Sequence, residues 1–108
     1  MKKLILAAAL ISGSVMANDG EATQEQKLEF CKSLSQMARS IMDARQSGVE
    51  MSQMVEMAMD NDMKSVILPV VKMAYEESRY STPGNQEKSI QDFGNLVYST
   101  CIKETGAI

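Results

Sequence analysis

Apolar positions in this chain recur at helical spacing, and no segment shows the alternation of a half-buried strand. From about Gln24 to Ser47, Phe30, Cys31, Leu34, Met37, Ala38, Ile41 and Met42 fall within one stripe of about 140° on a helical wheel. Glu29, Lys32, Gln36, Arg39, Ser40 and Asp43 fill the other side. Thr23-Gln24-Glu25-Gln26 reads as a capping box, in which the Thr23 hydroxyl accepts from the Gln26 N–H and the Gln26 side chain answers. Gly48 is placed for a left-handed C-cap, with Val49 in position for the hydrophobic contact that accompanies it.

Three more helices follow by the same reasoning. Ser52 is an expected N-cap for a short second helix over about Gln53–Asp60, and Asn61-Asp62 marks a break. A third covers about Met63–Ser78, with Val66, Ile67, Val70, Val71, Met73 and Ala74 on its apolar side. Pro69 lies inside it with Lys72 and Glu76 on the polar side, which predicts a kink near Ser65–Pro69 or two shorter helices. Residues 80–85 form a loop in which Thr82 is the N-cap and Pro83 the first helical residue. The fourth helix runs to about Glu104 and ends at Gly106, with Ile90, Phe93, Gly94, Val97 and Cys101 as its stripe. Gly94 there would let another helix backbone approach closely. The pattern predicts an all-α fold, a small bundle of about four helices.

The first residues do not belong to this pattern. Met1-Lys2-Lys3 is a positive start, Leu4 to Ile11 are continuously apolar, and Val15 and Ala17 are suitably small for a cleavage site. This is the form of a secretory signal peptide, residues 1–17, cleaved after Ala17. The stretch from Leu4 to Ala17 is short of the roughly 20 residues needed to span a bilayer, so no stable membrane anchor is expected after cleavage. The single mature domain is then 18–108, or 91 of the 108 residues, and loss of Lys2 and Lys3 moves the formal charge from −3 to −5. Export to an oxidising periplasm also bears on the cysteines, since a pair of Cys in a small exported domain is normally a disulfide; two free thiols are the rival reading, without a C-x-x-C spacing to favour it. Cys31 lies early in the first helix and Cys101 late in the fourth, each inside its apolar stripe, so antiparallel packing brings them level. A bridge between residues 70 apart is worth about 4 kcal/mol in the chain-entropy model.

Composition then removes chemistry. The chain has no His, which excludes a Ser-His-Asp triad, a Cys-His dyad and a His-based zinc site. An acidic balance of 14 Asp and Glu against 11 Lys and Arg argues against nucleic acid as a partner. Glu76 and Glu77 are adjacent and point about 100° apart on a helix, so they form no dyad. Asp60 and Asp62 lack the third acid, the Gly and the closing Glu of a calcium loop. No enzyme, cofactor or metal centre is expected. Two features stand out instead. Met51, Met54, Met57, Met59 and Met63 fall within 13 residues, a concentration that suits core packing or an adaptable partner-binding surface. Cu(I) ligation is the alternative, since thioethers select that ion. Arg45 stands in the apolar stripe of the first helix and calls for a carboxylate or several carbonyls, with Glu76, Glu77 and Asp92 as candidates. It can otherwise reach solvent or complement the helix C-terminus.

Cys31 to Leu34, Ala38-x-x-Ile41-Met42-x-Ala44-Arg45-Gln46-x-Gly48-Val49, Ala74-Tyr75-Glu76 with Tyr80-Ser81, and Phe93-x-x-x-Val97-Tyr98-x-x-Cys101 carry a resemblance. They resemble a set of short exported helical proteins of Gram-negative bacteria and their phages, mostly of unknown function. The resemblance implies no activity, but it draws attention to Arg45, Gln46, Tyr75 and Tyr80. In size, signal and single long-range disulfide the chain is also similar in outline to periplasmic acid-stress chaperones. The expectation is a non-enzymatic periplasmic interaction protein that binds or inhibits a protein partner in the cell envelope. Met51, Met54, Met57, Tyr75 and Tyr80 are its contact candidates. A stress chaperone activated by acid is the second reading and Met-based Cu(I) handling the third; a homodimer fits the first.

Overall fold

The computed structural model describes residues 22–108, which form four helices and no strand: α1 (Gln24–Gln46), α2 (Met51–Met59), α3 (Lys64–Glu76) and α4 (Pro83–Thr105). The signal segment expected over 1–17 lies outside the described residues. Helix α1 begins on the expected capping box. Gln26 N–H donates to Thr23 Oγ1 at 3.1 Å, and Thr23 N–H donates to Gln26 Oε1 at 2.9 Å. It ends on a Schellman motif, with Gly48 N–H on the Arg45 carbonyl at 3.1 Å and Val49 N–H on the Ala44 carbonyl at 2.9 Å. Gly48 has φ 92°, where a Cβ would be strained.

α1 and α4 pack antiparallel, and the pairings along the seam run in opposite directions. Gln24 Nε2 donates to the Ala107 carbonyl at 2.8 Å, Cys31 bridges Cys101, and Ser35 Oγ donates to the Gly94 carbonyl at 2.9 Å. The cysteine Cα atoms are 5.6 Å apart, within the usual disulfide range. At Gly94 the expectation of a close helix backbone is corrected: a side chain takes the space. The Arg39 side chain crosses the missing Cβ position on its way to Asn95 Oδ1, 3.2 Å away, so any larger residue would collide with it. A second Schellman turn at Gly106, φ 72°, folds the buried Ala107 back onto the start of α1.

α3 packs on α1, and α2 packs on α3. The core lies where they meet: Ala38, Ile41 and Met42 of α1, Ala58 of α2, Ile67, Val70, Val71 and Ala74 of α3, and Phe93 and Val97 of α4. Full burial of a Val or Ile side chain contributes about 1.5–3 kcal/mol, so α3, with Ile67, Val70 and Val71 buried, adds a large share of the core that α1 and α4 begin.

Three boundaries differ from the sequence expectation. α2 starts at Met51 with Glu50 as its cap residue, so Ser52 is not the N-cap; no side chain caps this end. The Schellman turn at Gly48–Val49 reverses the chain so tightly that the helix begins two residues later. α3 is a single helix with Pro69 inside and does not split. Pro69 and Ser65, whose carbonyl loses its donor, are both exposed, so water can replace the missing bond. α3 also stops at Glu76 rather than Ser78, because Arg45 and Gln46 of α1 take up the carbonyls of Glu77 and Ser78. Asn61 forms the expected break, its Oδ1 accepting from Met63 N–H at 2.8 Å.

Candidate functional site

The four residues to which the resemblance drew attention meet at one end of the molecule. Gln46 is 2% exposed, the one fully buried amide side chain among the described residues. Its Nε2 donates to the Ser78 carbonyl at 2.8 Å and to Ser89 Oγ at 3.4 Å, and its Oε1 accepts from Tyr80 N–H at 2.8 Å. Arg45 donates from Nε and Nη2 to the Glu77 carbonyl, at 3.2 and 3.0 Å, and lies over the Tyr75 ring with 5.3 Å between Cζ and the centroid. Its partner is a carbonyl and an aromatic face rather than a carboxylate. Of the acids named as candidates, Glu77 contributes only its backbone, and Asp92 pairs with Lys88 at 2.7 Å. Tyr75 donates its hydroxyl to the Val49 carbonyl at 2.6 Å. Burial raises the Tyr75 pKa above its ordinary value, and the Arg45 charge partly offsets that. Arg79 Nε donates to the Gln46 carbonyl at 3.2 Å, and its guanidinium lies across Gly48.

These bonds stitch the α1–α2 turn to the α3–α4 connection. Each of Arg45, Gln46 and Tyr75 is bonded to the backbone of another segment, so the three act as a joint. Tyr80 is the exception. Its backbone is fixed by Gln46, while its side chain is 41% exposed at the rim of a 330 Å³ cleft lined by Glu77, Lys88, Asp92, Phe93 and Leu96. The hydrogen bond from Lys88 to Asp92 raises the lysine pKa and keeps it charged.

The methionines divide differently. Met54 and Met57 line a groove of about 450 Å³ whose floor is Met37, Ile41 and Ala44 of α1 and whose far wall is Ile67 and Val71 of α3. Met57 is 66% exposed at its edge. Met51, Met59 and Met63 are exposed and do not line it, although Met51 and Met59 share a wheel face with Met54. None of the groove's lining side chains ionises, so it offers shape and apolar contact and no group for proton transfer. A second apolar groove, about 380 Å³, lies between α3 and α4 over Phe30 and Leu34. Among the described residues no group of three or more His, Cys, Asp or Glu is placed to hold a metal ion, and no helix is long and apolar enough to cross a membrane.

Sequence reasoning named Gln46 without giving it a task, counted Met37 only as part of the first helix's apolar stripe, and gave no role to Ser35 or Arg79. A polar residue in an apolar stripe was the available signal for Gln46 and Ser35: Gln46 follows Met42 by one turn and Ala38 by two. No sequence pattern announces Arg79, whose partner is a backbone carbonyl 33 residues away.

The fold and sites together define a small all-α domain with a disulfide-clasped helix pair, a polar joint and an apolar groove. No family model matches the chain, and no curated protein or solved structure is significantly similar to it.

Proposed function

We propose that this is a non-enzymatic partner-binding protein of the periplasm, and that its contact surface is the α1–α2–α3 groove with Met57 at the edge. The observation that carries this reading is a sizeable groove without ionisable lining, bordered by a methionine that is two-thirds exposed. Thioether side chains adapt to a partner's shape, and removing their apolar surface from water on binding is favourable. Export is supported by the signal pattern of residues 1–17 and by the Cys31–Cys101 bridge, which persists in an oxidising compartment. Tyr75 leaves the list of contact residues, because its hydroxyl belongs to the joint.

Capture from a periplasmic and envelope extract tests the reading. Oxidised wild type is compared with Met57→Glu and with Leu96→Glu, a control at an exposed apolar position of α4. The groove reading expects partner recovery to fall with Met57→Glu and to persist with Leu96→Glu. Equal recovery from all three, or self-association through Leu96, contradicts it.

A further inference from the structure

The α2 side of the groove is acidic. From Gln46 to Met63 the chain carries Glu50, Glu56, Asp60 and Asp62 and no Lys or Arg. All four acids are exposed. Asp60 follows Met57 by three residues, a spacing that puts side chains on one helical face, and Glu50 is the cap residue one turn before Met54. Asp43 stands in the same relation to Ser40, which lines the floor. Three nearby cations are committed elsewhere: Arg45 to the Glu77 carbonyl, Arg39 to Asn95, and Arg79, which lies across Gly48, to the Gln46 carbonyl. On α3, Lys64 precedes Ile67 by three residues and Lys72 follows Val71, so the acidic excess belongs to the α2 side. Asp60 and Asp62 follow the C-terminal end of α2, where the helix dipole disfavours an anion and a visiting cation would relieve the cost.

We propose that the groove receives a basic amphipathic helix of the partner, apolar stripe on Met37, Met54, Met57 and Ile67, with Lys or Arg facing Glu50, Asp60 and Asp43. This deepens the partner-binding reading and rests on it. A methionine-lined groove with an acidic border accommodates such a helix through adaptable apolar contact and opposite charge. Strand addition has no edge to use, since the described residues contain no sheet. An anionic membrane surface would meet like charge along the same border.

The probe is a synthetic peptide of about 18 residues with Leu at i, i+3, i+4 and i+7 and Lys elsewhere, set against its counterpart with Glu for Lys. Fluorescence anisotropy follows binding to the oxidised protein, and methionine-methyl NMR locates it. The Lys peptide is expected to bind and to shift the Met54 and Met57 methyl signals; the Glu peptide is not. Glu50→Lys with Asp60→Lys weakens binding by about fivefold, as does raised salt. Equal binding of both peptides overturns the proposal, as does a shift of Met54 and Met57 by phosphatidylglycerol vesicles but not by the Lys peptide. If Met57→Glu abolishes partner capture and the Lys peptide still fails to bind, the charge assignment falls and the partner-binding reading stands. If capture is indifferent to Met57, the reading itself falls.

Discussion

Along the α1–α4 seam, apolar packing is reinforced at intervals by a specific bond. Gln24 reaches the Ala107 carbonyl, Cys31 is joined to Cys101, Ser35 reaches the Gly94 carbonyl, and Gln46 reaches Ser89. Helix α2 has none of these. It is nine residues long, its N-terminus has no side-chain cap, only Ala58 is fully buried, and among the described residues no side chain of Met51–Met59 forms a hydrogen bond. A nine-residue helix is marginal in isolation, so α2 exists because Met54, Val55 and Ala58 rest on the core. The contrast teaches a division of labour. One half specifies the fold with directed bonds between distant residues, and the other carries exposed methionines on an element that rests on the core by apolar contact. Surfaces that meet partners are commonly drawn from the less stable elements.

Substitutions can break or sharpen that contrast. The largest expected effect is on the clasped half: Cys31→Ala with Cys101→Ala should lower stability by about 4 kcal/mol, read from urea unfolding of oxidised protein. Next comes the joint. Gln46→Leu leaves the Tyr80 N–H and Ser78 carbonyl without partners and should cost about 2 kcal/mol, with faster hydrogen exchange at the Tyr80 amide. The two caps separate more finely. Thr23→Ala should cost about 1 kcal/mol and Ser52→Ala less than about 0.5 kcal/mol, because only Thr23 accepts a cap bond.

Tyr75→Phe tests the tie between the joint and the turn before α2. It should cost about 1 kcal/mol at neutral pH by loss of the bond to Val49. The sign with pH follows from the raised pKa. The folded state favours the neutral phenol, so the contribution is complete below the ordinary value of 10.0 and is lost as pH rises through the higher folded value. Unfolding curves at neutral and strongly alkaline pH should therefore show the gap between wild type and Tyr75→Phe closing at the alkaline end. A gap that widens would place the ionised form, not the phenol, in the fold. The smallest effect belongs to the groove edge: Met57→Ser should change stability by less than about 0.5 kcal/mol, since two-thirds of that side chain is already in water.

The helices of the clasped half were legible because their signals are local and redundant. Thr23 and Gln26 mark one end of α1 and Gly48 the other, and the cysteines fall inside two stripes that pack. The joint was only half legible. Arg45 stood out as a charge in an apolar stripe, but its partner is the Glu77 carbonyl, and backbone acceptors have no sequence signature. The same fact hid the end of α3. Periodicity carries the helix to Ser78, while tertiary bonds to two carbonyls end it at Glu76. The groove was legible as a methionine concentration and not as a shape. Wheel geometry grouped Met51 and Met59 with Met54, yet the floor is Met37 and the edge is Met57, because α2 is placed by its contacts with α3.

Native-state hydrogen exchange, resolved residue by residue on the oxidised protein, tests the division between the halves most directly. The amides of α2 should exchange through an opening at least about 2 kcal/mol easier than that of the α1 and α4 amides flanking Ser35 and Gly94. Protection of α2 equal to that of α1 and α4, lost only with global unfolding, would contradict the account.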